Sequence, residues 1–215
     1  AMGNALRAMN QDQEGIACFK KALEIRPNFP EAISNLGVAY NDLGDLGQAI
    51  SFAKRAVDLS PRNPALHWTY ALVLLRAGKF KEGWAEYEWR WERRDFTTPN
   101  REFGKPRWDG SPINGKIILI HAEQGIGDTL QFIRYVALVA KAGGTVIVEC
   151  QPEVVKLVGC MEGVSAVVRS GEQFPEFDVQ IPLLSLPLIF GTGIETILAS
   201  SYLAPPVKQT VKIKE

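Results

Sequence analysis

The apolar and polar positions divide the chain into two halves with different periods. In the first half the period is helical, and one predicted helix over 79–94 carries its large aromatics on a single face. These aromatics lie at offsets of 0, 4, 7 and 11: Phe80, Trp84, Tyr87 and Trp91. The period changes after residue 115, where the aliphatic runs at 116–121 and 145–150 are short enough to be buried parallel strands.

Helices are predicted between these strands. One spans 128–142 and is stopped by two consecutive glycines, and another begins near Pro152. The first should bury a stripe formed by Leu130, Ile133, Ala137 and Ala140. Further strands are expected at 165–169 and 178–181. Strands that alternate with helices predict a mainly parallel sheet with right-handed crossovers, in an α/β Rossmann-like three-layer domain.

The first half repeats its special residues every 34 positions. The matching pairs are Gly3 and Gly37, Ala22 and Ala56, Pro27 and Pro61, and Gly44 and Gly78. Gly3 and Gly37 are expected where two helices touch too closely for a side chain. The later glycines should adopt positive φ after a helix, and each proline should follow the end of the second helix of its unit.

This spacing resembles the tetratricopeptide repeat (TPR) family, an α-solenoid of helical hairpins. The residues that carry the resemblance are Leu36, Gly37, Tyr40, Ala49, Ala56 and Pro61. A TPR domain is therefore predicted over 1–95. It would contain a partial repeat at 1–29, a complete one at 30–63 and a degenerate capping repeat at 64–97. The aromatics of the capping repeat could form a ligand platform, although packing against the next domain is favoured.

The TPR resemblance implies that the inner face binds a protein or peptide partner. In the complete repeat this groove would present Ser34, Asn35, Val38, Asn41 and Asp42. Asn35 matches an asparagine that recurs in TPR arrays fused to protein O-glycosyltransferases, while Thr69 of the next repeat does not. A solvated helix face explains Asn35 about as well.

The segment 96–115 is rich in proline, glycine and polar residues and is predicted to be a linker that Trp108 fixes to one domain. The α/β domain would follow over 116–215. Ligands of parallel sheets gather at the carboxyl ends of the strands. The predicted acceptor or anion loop therefore comprises His121, Glu123, Gln124, Gly125, Gly127, Asp128 and Thr129.

Two glycines characterise this loop. Gly125 and Gly127 would let the backbone turn sharply into a helix, whose first N–H groups form an anion site. Asp128 is expected as the N-cap of that helix, with Gln131 three residues later. Gly125 and Gly127 also begin a dinucleotide fingerprint, with Glu149 as the acidic residue after it. Leu130 at the third glycine position makes an NAD(P) enzyme the weakest alternative.

The segment 108–203 resembles bacterial TPR-containing glycosyltransferases of the GT-B fold, related to heptosyltransferases and O-GlcNAc transferases. The motifs are Trp108-Asp109-Gly110, GKIILIHAEQGIGDTLQFIRYV and FDVQIPLLSLPLIFGT. The resemblance implies that Asp128 is the base that activates the acceptor, with His121 and Glu123 less supported. It also implies a fragment that lacks the C-terminal half, so that no cofactor binds this chain and a nucleotide sugar binds only the full-length enzyme. The chain alone should be inactive.

The alternative is a non-catalytic TPR protein-interaction module. Charge does not favour nucleic acid, because 24 basic residues balance 24 acidic ones. Three cysteines without metal-ligand spacing suggest a cytoplasmic protein without a metal, and Cys150 and Cys160 are expected to be buried thiols. No apolar run is long enough to span a membrane. Self-association through apolar surface is possible.

Overall fold

The computed structural model describes residues 2–9, 11–197 and 201–203. Its described residues form two compact units, one up to Phe96 with Gly193–Glu195 and one over Thr97–Thr192 with the described residues from Thr196 onward. The first unit is helical and the second is built on a parallel sheet.

The first unit consists of helical hairpins. Its helices are α1 (Met2–Ala8), α2 (Asp12–Ile25), α3 (Pro30–Asp42), α4 (Leu46–Leu59), α5 (Pro64–Arg76) and α6 (Phe80–Tyr87). Each helix packs against the next along the chain, and α3 also packs against α5. This arrangement confirms the predicted stack of TPR hairpins.

The glycines of the repeat have the predicted roles. A Cβ on Gly3 would lie 2.5 Å from a ring carbon of Phe19, and one on Gly37 would lie 3.1 Å from the backbone nitrogen of Ala53. Gly44 and Gly78 adopt φ values of 82° and 75°, which other residues rarely tolerate. The glycines of the repeat therefore meet two backbone requirements, close packing between helices and a left-handed turn after a helix.

The prolines of the repeat lie just beyond helix ends, as predicted. Helices α2 and α4 end two residues before Pro27 and Pro61. Pro30 and Pro64 occupy the first helical position of α3 and α5, where a missing N–H costs nothing. Each junction between repeats thus has a proline that follows one helix and another that starts the next.

The helix predicted over 79–94 is shorter than expected. Helix α6 ends at Tyr87 and continues as a 3₁₀ turn over Glu88–Glu92. The change of period buries Arg90 completely, although the helical pattern placed it off the apolar face. Its guanidinium lies 4.8 Å from the ring centres of both Tyr87 and Trp91 and donates to the Tyr87 carbonyl.

The second unit contains a four-stranded parallel sheet, as predicted. Its strands are β1 (Ile117–His121), β2 (Thr145–Cys150), β3 (Val164–Arg169) and β4 (Val179–Pro182), in the order β3-β2-β1-β4. Its helices are α7 (Ile126–Phe132), α8 (Val136–Lys141), α9 (Val155–Val158) and α10 (Leu186–Ile189). Helical crossovers join β1 to β2 and β2 to β3, in agreement with the α/β prediction, whereas β3 is joined to β4 by a loop over 170–178.

Both faces of the sheet are covered. Ile118, Leu119 and Ile120 are all fully buried, and neighbouring residues of a strand point to opposite faces. Leu119 belongs to a cluster with Ile147, Val168 and Phe177, against which Phe103 and Phe174 pack. Helix α8 contacts β2.

The helix predicted over 128–142 is divided and begins earlier. Helix α7 starts at Ile126, a 3₁₀ turn occupies Ile133–Tyr135, and α8 follows. The break rotates the buried stripe, so that Thr129, Ile133, Val136 and Val139 are buried, whereas Leu130, Ala137 and Ala140 are only partly covered. Of the predicted stripe, Ile133 alone is fully buried.

The segment that precedes β1 belongs to the second unit and packs against β4. Gln180 of β4 accepts from the N–H of Trp108 at 2.8 Å and donates to the Pro106 carbonyl at 3.0 Å. Trp108 is buried, and its indole donates to the Ser111 carbonyl. This short pairing covers the β4 edge of the sheet.

The cysteines differ in exposure. Cys150 is fully buried, and burial raises the pKa of its thiol to about 11. Cys160 is exposed, so the prediction that it is buried was wrong. The apolar residues before it lie in the short helix α9, which ends at Val158 and leaves Cys160 in the following turn.

Candidate functional site

The predicted groove residues lie on α3 but do not all face outward. Asn35 and Val38 are half-buried and Asp42 is exposed, at helical offsets of 0, 3 and 7. Ser34 is only 6% exposed and therefore lies on the packed side of the helix. The outward stripe of α3 thus begins at Glu31 and runs to Asp42.

An ion pair closes one end of this stripe. Arg7 of α1 pairs with the carboxylate of Asp42, which also accepts from the Asn41 amide at 3.4 Å. The Asn41 side-chain oxygen and the Arg7 Nε are buried with no hydrogen-bond partner among the described residues. The charge of Asp42 is therefore largely compensated within the repeats.

Helix α5 presents a matching stripe that the sequence analysis did not identify. Adding 34 to Glu31, Asn35, Val38 and Asp42 gives Ala65, Thr69, Leu72 and Arg76. Leu72 is 45% exposed, and Arg76 is also exposed. The Thr69 hydroxyl donates to the Ala65 carbonyl at 3.1 Å, which leaves its oxygen free to accept. The repeat spacing was the signal that could have identified this second stripe.

In the second unit, His121 lies at the carboxyl end of β1 and is buried. Its Nε2 lies 3.0 Å from the Gln180 side-chain oxygen, and the Phe103 ring lies tilted beside it with ring centres 4.7 Å apart. Nδ1 is buried with no partner in the described part of the chain. Burial, helped by the nearby Arg101 and Arg107, lowers the pKa of His121 to about 4 against the opposing effects of the Gln180 hydrogen bond and the Glu149 carboxylate, so the ring is neutral at pH 7.

The next loop residues serve structural roles. Glu123 is 2% exposed, and its carboxylate accepts the N–H of Leu184 at 3.0 Å. Gln124 has a φ of 59°, and its N–H donates to the Thr98 hydroxyl at 2.7 Å. The left-handed residue of the turn is therefore Gln124. The expectation that Gly125 and Gly127 make this turn was wrong, because Gly125 is extended and Gly127 is already helical.

Asp128 is the third residue of α7, so its predicted position as the N-cap was wrong. Gly125 is the N-cap, and its N–H donates to the Asp128 carboxylate at 3.1 Å. A carboxylate at this point satisfies the helix start and disfavours a second anion there. Thr129 is fully buried and donates to the Gln151 side-chain oxygen at 2.8 Å. The loop thus places Asp128 at the surface, while His121, Glu123 and Thr129 are buried.

The contacts of Glu149 oppose the dinucleotide alternative. Both of its carboxylate oxygens accept from the Arg101 guanidinium, at 2.9 and 2.6 Å, and the side chain is 2% exposed. A buried carboxylate held in this way cannot bind a ribose hydroxyl without breaking the ion pair. Leu130 still stands where the fingerprint requires glycine.

Two family models match the chain, one described as TPR repeat over residues 3–44 and one as tetratricopeptide repeat over residues 30–63. Residues 3–63 are tetratricopeptide repeats. The TPR unit is therefore a protein-interaction module, and the hairpin of α5 and α6 continues its stack. Both matching models end before the parallel sheet.

Two curated proteins are similar to the chain over different lengths. Protein FlbA of Caulobacter vibrioides is 29% identical over 147 residues, which cover 66% of this chain and 24% of that protein. The interferon-induced protein with tetratricopeptide repeats 3 of Mus musculus is 38% identical over 69 residues, 31% of this chain and 17% of that protein. The chain thus spans a quarter or less of each relative. The FlbA match is longer than the TPR unit and extends into the second unit.

Solved TPR domains also resemble part of the chain. The first TPR domain of Spaghetti (RPAP3), bound to the HSP90 peptide SRMEEVD, gives a TM-score of 0.39 at 24% identity, covering 41% of this chain and 70% of that one. The Sgt2 TPR domain of Aspergillus fumigatus gives 0.40 at 26% identity, covering 41% and 58%. None of the helices in the described residues is long and apolar enough to span a membrane.

Proposed function

We propose that the TPR unit binds an extended, uncharged segment of a partner protein along the outward stripes of α3 and α5. The observation that carries the proposal is the alignment of these stripes at the 34-residue spacing. Asn35 and Thr69 form one row, and Val38 and Leu72 form the next. Because α3 and α5 pack against each other, the two rows run from one repeat into the other.

The chemistry of the rows suits a peptide backbone beside an apolar side chain. The Asn35 amide can donate to a peptide carbonyl and accept from a peptide N–H at the same time, and the Thr69 oxygen can accept another N–H. Val38 and Leu72 provide an apolar surface, of which Leu72 is nearly half exposed. A bound segment would therefore place an aliphatic side chain on this surface and its backbone on Asn35.

The charges of the stripes argue against an acidic ligand. Asp42 is compensated by Arg7, Glu31 is an exposed acid, and Arg76 is an exposed base at the far end of α5. The two stripes therefore provide no cluster of cations that would hold several carboxylates. A peptide such as SRMEEVD should bind at least about ten times more weakly than a neutral aliphatic one.

Display of random heptapeptides followed by calorimetry tests the proposal. Enriched peptides should carry aliphatic residues without acidic runs. Asn35→Ala should weaken their binding about fivefold to thirtyfold, because the amide pair to the backbone is lost. Leu72→Asp should weaken it at least about tenfold. The exposed Lys20→Gln on α2 serves as the control. Equal affinity of all variants, or tight binding of SRMEEVD, would refute the proposal.

A second candidate is the acceptor-side half of a glycosyltransferase. It is supported by the sequence resemblance over 108–203 and by the surface position of Asp128 near the carboxyl end of β1. As a base, Asp128 would have to exchange its bond to Gly125 for one to an acceptor hydroxyl. A nucleotide sugar would be bound only by a protein that carries both halves.

Incubation with uridine diphosphate sugars tests this candidate. The chain alone should show no hydrolysis and no transfer. In a protein with both halves, Asp128→Asn should remove most activity and keep the fold, because an asparagine oxygen can still accept the Gly125 N–H. Turnover by the chain alone, or full activity of the Asp128 variant, would contradict this assignment.

A further inference from the structure

The end of α6 carries a concavity that is independent of the peptide stripes. It has a volume of about 350 Å³ and is lined by Ala85, Glu88, Trp89 and Glu92. All four residues belong to the TPR unit. Ala85 has only a methyl group as its side chain, so it leaves space between the larger side chains and forms the floor of the concavity.

Trp89 and Glu92 lie three residues apart in the 3₁₀ turn and line the same concavity. In a 3₁₀ turn, residues three apart lie directly above one another, whereas in an α-helix they would be offset. The 3₁₀ turn over Glu88–Glu92 therefore places Trp89 and Glu92 on the same side of the turn.

Trp89 is held rigidly from one side. Its ring stacks on His67, with ring centres 3.9 Å apart and planes 9° apart. His67 is itself buried, with Nδ1 facing the Glu86 carboxylate and Nε2 lying 3.0 Å from the Pro61 carbonyl, so the ring donates to at least one of these acceptors. One face of the indole is thus covered, and the ring contributes to the concavity in a fixed orientation.

Two carboxylates line the concavity, those of Glu88 and Glu92. The Glu88 carboxylate already accepts from Arg90 at 2.8 Å. Glu92 is exposed and pairs with no cation in the described part of the chain. The face of an indole attracts cations, and a carboxylate beside it adds an ion pair. A planar guanidinium can stack on the ring and reach the carboxylate at once, which an ammonium group cannot do as well.

We propose that this concavity binds an arginine side chain of a partner protein. The guanidinium lies on the indole of Trp89 and donates to the carboxylate of Glu92, and its aliphatic stem rests on Ala85. This site and the peptide stripes are on different helices, so either can bind its ligand without the other.

The test is a titration with the peptide N-acetyl-Gly-Arg-Gly-amide, followed by NMR through the assigned indole resonance of Trp89. Its neutral isostere with citrulline in place of arginine is the matched ligand. The arginine peptide should give a saturable shift with a dissociation constant about five to ten times lower than that of the citrulline peptide. Equal binding of both peptides, or no saturable shift with arginine, would overturn the proposal.

Two surface variants test the geometry without disturbing the stack on His67. Glu92→Gln should weaken arginine binding about threefold to fivefold by removing the charge. Ala85→Leu should weaken it at least about fivefold by filling the floor while keeping a strong helix former. Glu14→Gln, an exposed glutamate on α2, should leave binding unchanged. Unchanged affinity in both test variants, with a normal circular dichroism spectrum, would place the ligand elsewhere.

Discussion

Replacing Arg101 with methionine is expected to lower the free energy of unfolding of the second unit by about 3 kcal/mol. The substitution keeps most of the aliphatic bulk but leaves the Glu149 carboxylate, which is 2% exposed, without its partner. An unpaired charge in the interior is costly because the surrounding protein solvates it much less well than water does. Arg101 is about one-third exposed, so the expected cost is at the lower end for a broken buried ion pair.

Urea denaturation with peptide-resolved hydrogen exchange over β1 and β2 would measure this loss. Arg169→Met is the matched control, because Arg169 pairs with Glu172 at 4.0 Å where both side chains are more than half exposed. That control should cost less than about 1 kcal/mol. Adding Glu149→Leu to Arg101→Met should restore much of the lost stability. Equal losses in the two single variants would mean that the Glu149 pair contributes no more than a surface pair.

Acidification from pH 6.5 to 4 should destabilise the second unit by about 3 kcal/mol through His121 alone. Burial lowers the pKa of this ring from 6.5 to about 4 in the folded protein. Between these values the unfolded chain binds a proton that the folded chain does not. The stabilisation is therefore complete above pH 6.5 and is lost as the pH falls toward 4.

Comparison with His121→Gln isolates this contribution, since the chain has two histidines and the variant retains the other. The wild-type free energy of unfolding should fall more steeply with decreasing pH than that of the variant, within this window. Hydrogen exchange should locate the difference in the strands of the sheet. If the two profiles ran parallel between pH 6.5 and 4, His121 would have to be protonated in the folded state.

The architecture of both units could be predicted because a few residue types impose it locally. Gly37 and Gly44 are required by close packing and by a left-handed turn, and both requirements recur 34 residues away. The four strands could be predicted because short aliphatic runs bounded by turn residues are typical of buried parallel strands. These signals depend on neighbours along the chain, which the sequence shows directly.

The details of the candidate sites could not be predicted because they depend on partners far along the chain. Gln124 adopts the left-handed conformation, although its neighbour Gly125 could do so at less cost, because the N–H of Gln124 donates to Thr98. Arg90 is buried because the α-helix changes to a 3₁₀ helix at Glu88. The apolar periodicity before Glu88 does not predict this change. The aromatic at 89 was visible in the sequence, but its fixed orientation comes from His67, which is 22 residues earlier.

The pairing of Pro106 to Trp108 with β4 makes the two borders of the sheet different. One border is occupied by the chain itself, whereas among the described residues β3 is bonded to β2 alone. Ser165 and Ala166 of β3 are exposed, and Arg169 at its end carries a charge that discourages stacking of identical edges. A strand supplied by another molecule would therefore add beside β3 and extend the sheet in a single direction.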